Sequence, residues 1–442
     1  IMIGGKQLFV DDYIIEELKG VQKVLNQPAK HPMNPLLVRD KPWEVEEPDY
    51  TTVMYDEQEK VFKMWYAMHN PKRKLSSEQF LAYATSKDGI RWTKPIINKK
   101  NNTNTVFHSK MPGFLAAGVF KDPVARDPQK RYKMLFSGSE HGTEKGVSTN
   151  AAYSPDGIHW TDEPKNPVTP FNDTQSCPFW DAQRDRYVAH VRYGPPNSRM
   201  CSFIESEDFI HWSPKITILW PAPTDEGRKS KMDIPFNTKH YAMQALQYGG
   251  VYFGFLWTYH GETIAPIPED ELWKDKTNVQ LVYSRNGRTW QRVGKNGAIP
   301  WREMNDDRDW EKVTEEAVFL PYGRHKKDWD WGGVGVCHQP PIVIDDEFRI
   351  YYKGYAGRHW AKYHGDIYPK KRGVGLAILR LDGFVSIDAG DCGSMTTREF
   401  VFIGDTLEVN ANAAGGSIQV EAIDPDGNVI EGFGKENCTP LT

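Results

Sequence analysis

Carboxylates and polar side chains recur where apolar strands are about to begin. Glu46, Glu47 and Asp49 stand in EVEEPDYTT, Asp122 in VFKDPV and Asp173 in FNDTQSCP. His240 follows PFNTK, His338 and Gln339 stand in GVCHQPP, and Asp328 and Asp330 in KKDWDWGG. Two carboxylates facing one ligand are the equipment of glycosidic bond cleavage: one protonates the leaving oxygen, the other activates water or attacks the anomeric carbon. A separation of roughly 6.5–9.5 Å gives inversion and about 5–5.5 Å retention. A third carboxylate would shift the acid's pKa and orient it. The candidate catalytic set is Asp122, Asp49, Glu47 and Asp173. Asp122 leads it, because its acid directly precedes a proline beside an apolar strand. Candidate substrate contacts are His240, His338 and Gln339, with Trp329 in WDWGG and Trp257 in WTYHG as sugar platforms.

The elements that would hold these residues follow from an internal repeat. SKDGIRW at 86–92 returns as SPDGIHW at 154–160, SEDFIHW at 206–212 and SRNGRTW at 284–290. Each phrase follows an apolar strand, a polar tip and an alternating aromatic strand. These pairs fall at 51–68, 118–138, 176–194 and 241–259, and a fifth at 339–355 leads to LDGF at 381–384. Asp-Gly with flanking β-formers reads as a tight turn: Ser and Asp bond local amides and Gly takes positive φ, while the Trp packs between repeats. Five units of four short strands predict an all-β fold, a five-bladed β-propeller over 1–388. The first strand of each unit would line a central funnel, where acids from different blades meet.

After Asp388 the pattern changes. TTREFVFIGDTLEVNANAAGGSIQVEAIDPDGNVIEGF at 396–433 alternates with Gly and Asp-Gly turns, predicting a small β-sandwich-like module over 389–442. Its length suits part of a sandwich, so it is expected to borrow strands or to be cut short. QLFVDDYIIEE at 7–17 is expected to be a strand that closes the ring or packs on this module.

Composition narrows the function classes. The 442 residues carry a formal net charge of −4, and the Lys/Arg clusters at 72–74 and 370–372 are short, so no nucleic-acid partner is expected. No apolar run is long enough for a membrane span. The five Cys lack zinc or disulfide-framework spacing and read as buried thiols. No basic leader opens the numbering, and a secreted or periplasmic location, with an export signal already removed, is the expectation. Tyr and Trp, at 20 and 15, suit aromatic-lined sheets and sugar stacking alike.

With these motifs in place, the chain resembles the five-bladed glycoside hydrolases related to families 32, 43 and 68. It is most similar to a family-32-like bacterial group with phrases like LFVDDYIIE, QPAKHPMNPLL and DGFVSIDAG, here at 8–16, 27–37 and 382–390. The resemblance implies an exo-acting hydrolase of plant or algal poly- or oligosaccharide that requires no cofactor; some family 43 relatives carry an axial Ca²⁺, which is neither demanded nor excluded here. FKDP at 120–123 resembles the family 32 Arg-Asp-Pro motif, which makes Asp122 a transition-state stabiliser. Two motifs depart. Ser176 in SCP stands where family 32 has the acid of Glu-Cys-Pro, and EEPDY at 46–50 replaces its nucleophile motif. The resemblance therefore leaves the acid and base to Asp173 and to Asp49 or Glu47, with a non-catalytic carbohydrate- or partner-binding propeller as the alternative. The repeated phrase also resembles the Asp-box of sialidases, one residue shorter; those use six blades.

Overall fold

The computed structural model describes residues 2–3, 5–69, 79–110, 115–139, 147–170, 175–193, 199–219, 238–293, 318–366, 371–404 and 406–442. The chain divides into two compact units, one of 23–386 and one of 1–22 with 387–442.

The larger unit is a β-propeller. Three of its sheets have four antiparallel strands in sequence order, beginning with Asp49–Asp56, Leu115–Lys121 and Cys177–Asp181. A larger sheet splits into two further groups at a single parallel bridge, Thr277 to Gly333. One group starts with Lys239–Tyr248, and the other with Gly333–Val336 continued by Ile342–Ile344. We number these groups blades 1 to 5. Blade 5 takes its outer strand from the N-terminal side of the chain: Ala29–Lys30 pairs with Lys371–Arg380. That short strand, rather than residues 7–17, closes the ring. Residues 7–14 are turns within the smaller unit, and the strand begins only at Ile15.

From blade 1 to blade 5 each first strand touches the next, and that of blade 1 touches the second and third strands of blade 5. They come close enough that a Cβ on Gly118 of blade 2 would lie 2.2 Å from the Ser176 carbonyl of blade 3. The apolar core lies between blades. Phe62, Met64, Tyr351 and Leu376 join blades 5 and 1, and Trp65, Val119, Met134 and Phe136 join 1 and 2. Phe120, Tyr187 and Phe209 join 2 and 3, and Met243, Tyr252 and Trp290 join 3 and 4.

The repeated phrase is the turn after each third strand. Ser86 Oγ accepts from the Gly89 amide and Asp88 Oδ1 from the amides of Ile90 and Arg91. The same pattern holds at Ser154 and Asp156, Ser206 and Asp208, and Ser284 and Asn286. Gly89, Gly157 and Gly287 take positive φ, and Phe209 takes the same conformation at φ 68° where the glycine is missing. Trp92, Trp160, Trp212 and Trp290 each fill a junction between blades.

The smaller unit has little regular structure after the strand Val385–Thr397. Val401–Phe402 pairs with Met2–Ile3, and beyond it stand isolated bridges from Ile418 to Leu441 and from Ile423 to Val429. The sandwich strands expected over 396–433 reduce to these, with Ile403, Leu407 and Phe433 exposed. No helix among the described residues is long and apolar enough to cross a membrane.

Candidate active site

The two ends of the first strands differ in chemistry. Where blades 1 to 3 begin, each first strand kinks at a residue in the left-handed region: Tyr50 at φ 45°, Ala116 at 54° and Gln175 at 47°. In blades 1 and 2 the pairing register shifts there, between Asp49 and Thr52 and between Leu115 and Gly118. Blade 4 shifts its register around Tyr241. Such bulges cost backbone energy and re-aim side chains. Left-handed non-glycine residues also sit at the hairpin tips of the other end, Lys60 and Asp185 among them, so it is the register shifts of blades 1, 2 and 4 that mark this as the specialised end.

Asp49 sits at the blade 1 bulge, buried between two cations. Lys353 Nζ donates to Oδ1 at 2.8 Å and Arg372 to Oδ2 at 2.7 Å. Burial opposes ionisation, but Lys353 and Arg372 overcome it and hold the Asp49 carboxyl well below the usual range. Burial outweighs Asp49 at Lys353, whose ammonium is held below its ordinary pKa. The Lys353 ammonium lies 4.1 Å from the Trp257 ring centroid and 4.4 Å from that of Tyr50. Tyr241 packs at a tilt against Trp257, with ring centroids 4.6 Å apart, and carries the guanidinium groups of Arg192 and Arg199 at 4.7 and 5.0 Å. Glu262 accepts from Arg199 at 3.1 Å, from Trp360 Nε1 at 3.1 Å and from Lys239. Burial again opposes ionisation, and Lys239 and Arg199 hold Glu262 below its ordinary value.

The repeat explains this assembly. Each second strand carries an aromatic residue at its first or second position: Phe62, Tyr132, Tyr187, Tyr252 and Phe348. Five residues later stand Ala67, Ser137, Arg192, Trp257 and Lys353. Ala67, Ser137 and Trp257 pair opposite the bulges of their blades, so this position faces the specialised end. Blades 3, 4 and 5 place Arg, Trp and Lys there. Gly335 makes room for the Trp257 ring, which would lie 2.6 Å from a Cβ at that position. Sequence reasoning found Trp257 and missed Arg192, Lys353 and Arg372. The available signal was a basic residue inside the aromatic strands RYVAHVRY and EFRIYYKGYA.

His338 and Gln339 lie near the axis and tie blades together. The His338 amide donates to the Thr51 carbonyl at 2.8 Å, and its Nδ1 lies 3.2 Å from the same oxygen. Gln339 Nε2 donates to the Pro178 carbonyl at 3.0 Å. Burial pushes the His338 imidazole down to about 3, so it is neutral. His240 is also buried and pushed down to about 3, but it faces the blade 3 outer strand, with Nδ1 3.3 Å from the Leu219 carbonyl. Tyr241 takes the place at the bulge that His240 was expected to fill. Trp329 packs over Gly354 and Gly375 beside Tyr352, within blade 5. Glu47 is engaged away from the Asp49 group, accepting from the Arg39 amide at 2.9 Å. Asp173 lies outside the described residues.

Asp122 belongs to the opposite end. It follows its first strand instead of opening it, because KDPVARDPQK is the hairpin tip and not the approach to the strand. Its buried carboxylate accepts from Lys133 at 2.5 Å, from the Tyr187 hydroxyl of blade 3 at 2.8 Å and from the Val124 amide at 3.0 Å. Asp56 and Asp181 occupy the same register. Asp56 accepts from the Tyr132 hydroxyl of blade 2 at 3.0 Å, and Asp181 from the Tyr252 hydroxyl of blade 4 at 2.9 Å. The three aspartates are latches between neighbouring blades.

Among the described residues, no group of three or more His, Cys, Asp and Glu side chains is placed to hold a metal ion.

No family model matches the chain, and no curated protein matches it. Solved structures similar to it include a thermostable family-43 glycoside hydrolase, at 11% identity, covering 80% of this chain and 96% of that one with a TM-score of 0.47. Another belongs to the GH130 family of mannoside phosphorylases, described as containing glycoside hydrolases that target β-1,2 mannosidic linkages in Candida mannan. It shows 12% identity, covering 85% of this chain and 97% of that one, with a TM-score of 0.47. A third is an N-acetylgalactosamine deacetylase from F. plautii in complex with blood group B trisaccharide, at 10% identity, 82% and 96% coverage and a TM-score of 0.47.

Proposed function

We propose that the bulged end of the propeller binds a sugar and that the protein is a glycosidase. The observation that carries this reading is Asp49, an ionised carboxylate fixed by Lys353 and Arg372 beside the rings of Tyr50, Trp257 and Tyr241. Aromatic faces suit the apolar faces of a pyranose, and a carboxylate held ionised suits a nucleophile, a base or a stabiliser of oxocarbenium-like charge. Neither Asp49 nor Glu262 suits the acid role, since cations hold both ionised. We assign that role to Asp173, the acid that stands in the sequence just before Gln175 at the start of blade 3.

Reducing-sugar release from a broad panel of poly- and oligosaccharides tests the reading. Release by the wild type, lost about a hundredfold or more in both Asp49→Asn and Asp173→Asn, is the expected result. Release unaffected by either substitution would remove the site from the chemistry. The same ionised pair favours a second reading, a propeller that binds sugar without cleaving it. Saturable binding of a ligand recovered intact from every member of the panel would establish it.

A further inference from the structure

At the bulged end, blade 5 sends a strap across to blade 4. The second strand of blade 5, Glu347–Ala356, runs on into 357–366, and these residues meet the loop that follows the blade 4 strand Val251–His260. Asp275 in that loop is fully buried. Its carboxylate accepts from the Trp360 amide at 2.7 Å and from the Tyr259 hydroxyl, and lies 3.2 Å from His364 Nε2. Its carbonyl accepts from the His359 amide at 2.9 Å, and the Thr263 carbonyl lies 3.0 Å from His364 Nε2. Within the strap, Asp366 accepts from the Arg358 amide at 2.9 Å. Trp360 is tied a second time, because its Nε1 donates to Glu262 at 3.1 Å.

This fastening sets rings in a row that starts beside Asp49 and its partner Lys353. Trp257 lies under the Lys353 ammonium, and Tyr241 follows with its centroid 4.6 Å from that of Trp257. The His359 ring is 5.5 Å further, its Nε2 3.1 Å from the Tyr241 hydroxyl. Trp360 follows at 5.2 Å and Tyr363 at 6.1 Å. Exposure rises along the row: Trp257 and Tyr241 are buried, His359 and Trp360 are half-buried, and Tyr363 is 50% exposed. Neither neighbour lies parallel to the Trp360 indole, with His359 at 85° and Tyr363 at 67°. An indole that serves packing alone has no need of the surface. This one reaches it while its amide and its ring N–H are both engaged by carboxylates of blade 4, which fixes the ring before a ligand arrives.

We propose that Trp360 is a second sugar platform, and that the substrate is an oligosaccharide with one unit at Asp49 and its neighbouring units along His359, Trp360 and Tyr363. This deepens the preceding reading and rests on it. The apolar face of a pyranose packs on an aromatic ring, so each unit added along the row gains a further ring contact.

Calorimetric titration of the whole chain, beside reducing-sugar release, supplies the test. The probes are gluco-, xylo-, manno- and arabino-oligosaccharides from disaccharide to hexasaccharide. In at least one series affinity should rise about tenfold or more from the shortest member to the longest. Trp360→Ala should remove most of that rise, and Trp360→Phe, which keeps a ring and loses the Nε1 donor, should retain most of it. Tyr363→Ala should reduce the rise as well, and at its half-exposed position it serves if a melting curve shows that Trp360→Ala fails to fold. A flat response to length in every series overturns the proposal. So does a Trp360→Ala loss equal for the shortest and longest members, or a Trp360→Phe loss as large as that of Trp360→Ala, since either makes the indole a support for Glu262. Asp49-dependent cleavage that ignores chain length leaves the glycosidase standing while this inference falls. A Trp360-dependent rise without cleavage of any member does the reverse, and no binding of any member overturns both.

Discussion

The two ends of the same five strands use the same side-chain types for opposite purposes. At the turn end, Asp56, Asp122 and Asp181 each accept a tyrosine hydroxyl from the next blade and are closed in by local amides. At the bulged end, Asp49 stands beside a kinked backbone among aromatic rings and partly exposed arginine. A carboxylate closed in by its own fold stabilises that fold. One set on strained backbone beside reachable cations is placed for a ligand.

The sharpest way to break this contrast is to neutralise one aspartate from each end. Asp122→Asn leaves Lys133 buried without its counter-charge, and such losses run to about 3–5 kcal/mol. Burial already holds the Lys133 ammonium below its ordinary pKa, so it can shed its proton, and the lower end of that range is expected. Urea unfolding should show this loss, while whatever protein remains folded keeps its specific activity. A folded Asp122→Asn protein with no activity would place the chemistry at the turn end after all.

Asp49→Asn is expected to do the opposite, with activity falling about a hundredfold or more. Some stability is lost as well, since Lys353 is left beside Arg372. The double variant Asp49→Asn, Lys353→Met removes that repulsion and should regain melting temperature without regaining activity. Recovery of activity along with stability would reduce Asp49 to a structural ion pair.

The buried histidines each give a smaller effect. Burial pushes His190, His240 and His338 each down to about 3. Their folded pKa values lie below the unfolded value of about 6.5, so the unfolded chain binds more protons in between. Their contribution is complete above about pH 6.5 and is lost as pH falls toward 3. Each contributes up to about 1.4 kcal/mol per pH unit in that window. Unfolding free energies between pH 7 and 5 should therefore fall steeply, and His338→Gln should flatten the slope by about one proton. An unchanged slope would mean that the imidazole is already protonated in the folded protein.

The repeat was legible because its turn needs particular residues. Ser and Asp at fixed spacing satisfy loop amides, and Trp fills the junction, so four copies announced four blades and their register. The assignment of Asp122 failed on polarity of direction: a carboxylate beside a proline looks alike before a strand and after it. Lys353 and Arg192 were hidden because a base inside an aromatic strand has meaning only once strands from different blades are aligned. The C-terminal segment shows the limit of alternation. Its pattern is strand-like, yet Ile403 and Leu407 have no packed partner face in the described structure, and alternation alone does not pair strands.

The last contrast lies among the blade junctions themselves, and it carries the smallest effect. Three junctions have an Asp–Tyr latch. At the other two, the aspartate position holds Tyr248 or Ile344 and the tyrosine position Phe348 or Phe62. Tyr248 packs edge-on against Phe348 at 5.0 Å, and Ile344 joins the cluster around Phe62. Polar and apolar junctions therefore each match within themselves. Tyr187→Phe strips one donor from Asp122 and should cost about 1–2 kcal/mol, given the charged acceptor. Phe62→Tyr should cost about 1 kcal/mol or more, because its hydroxyl would be buried opposite Ile344 without an acceptor. Adding Ile344→Asp to Phe62→Tyr rebuilds a latch. The double variant should then be more stable than Ile344→Asp alone, by a coupling of about 1 kcal/mol in a double-mutant cycle. Zero coupling would mean that the latches depend on Lys63, Lys133 and their neighbours more than on the tyrosine.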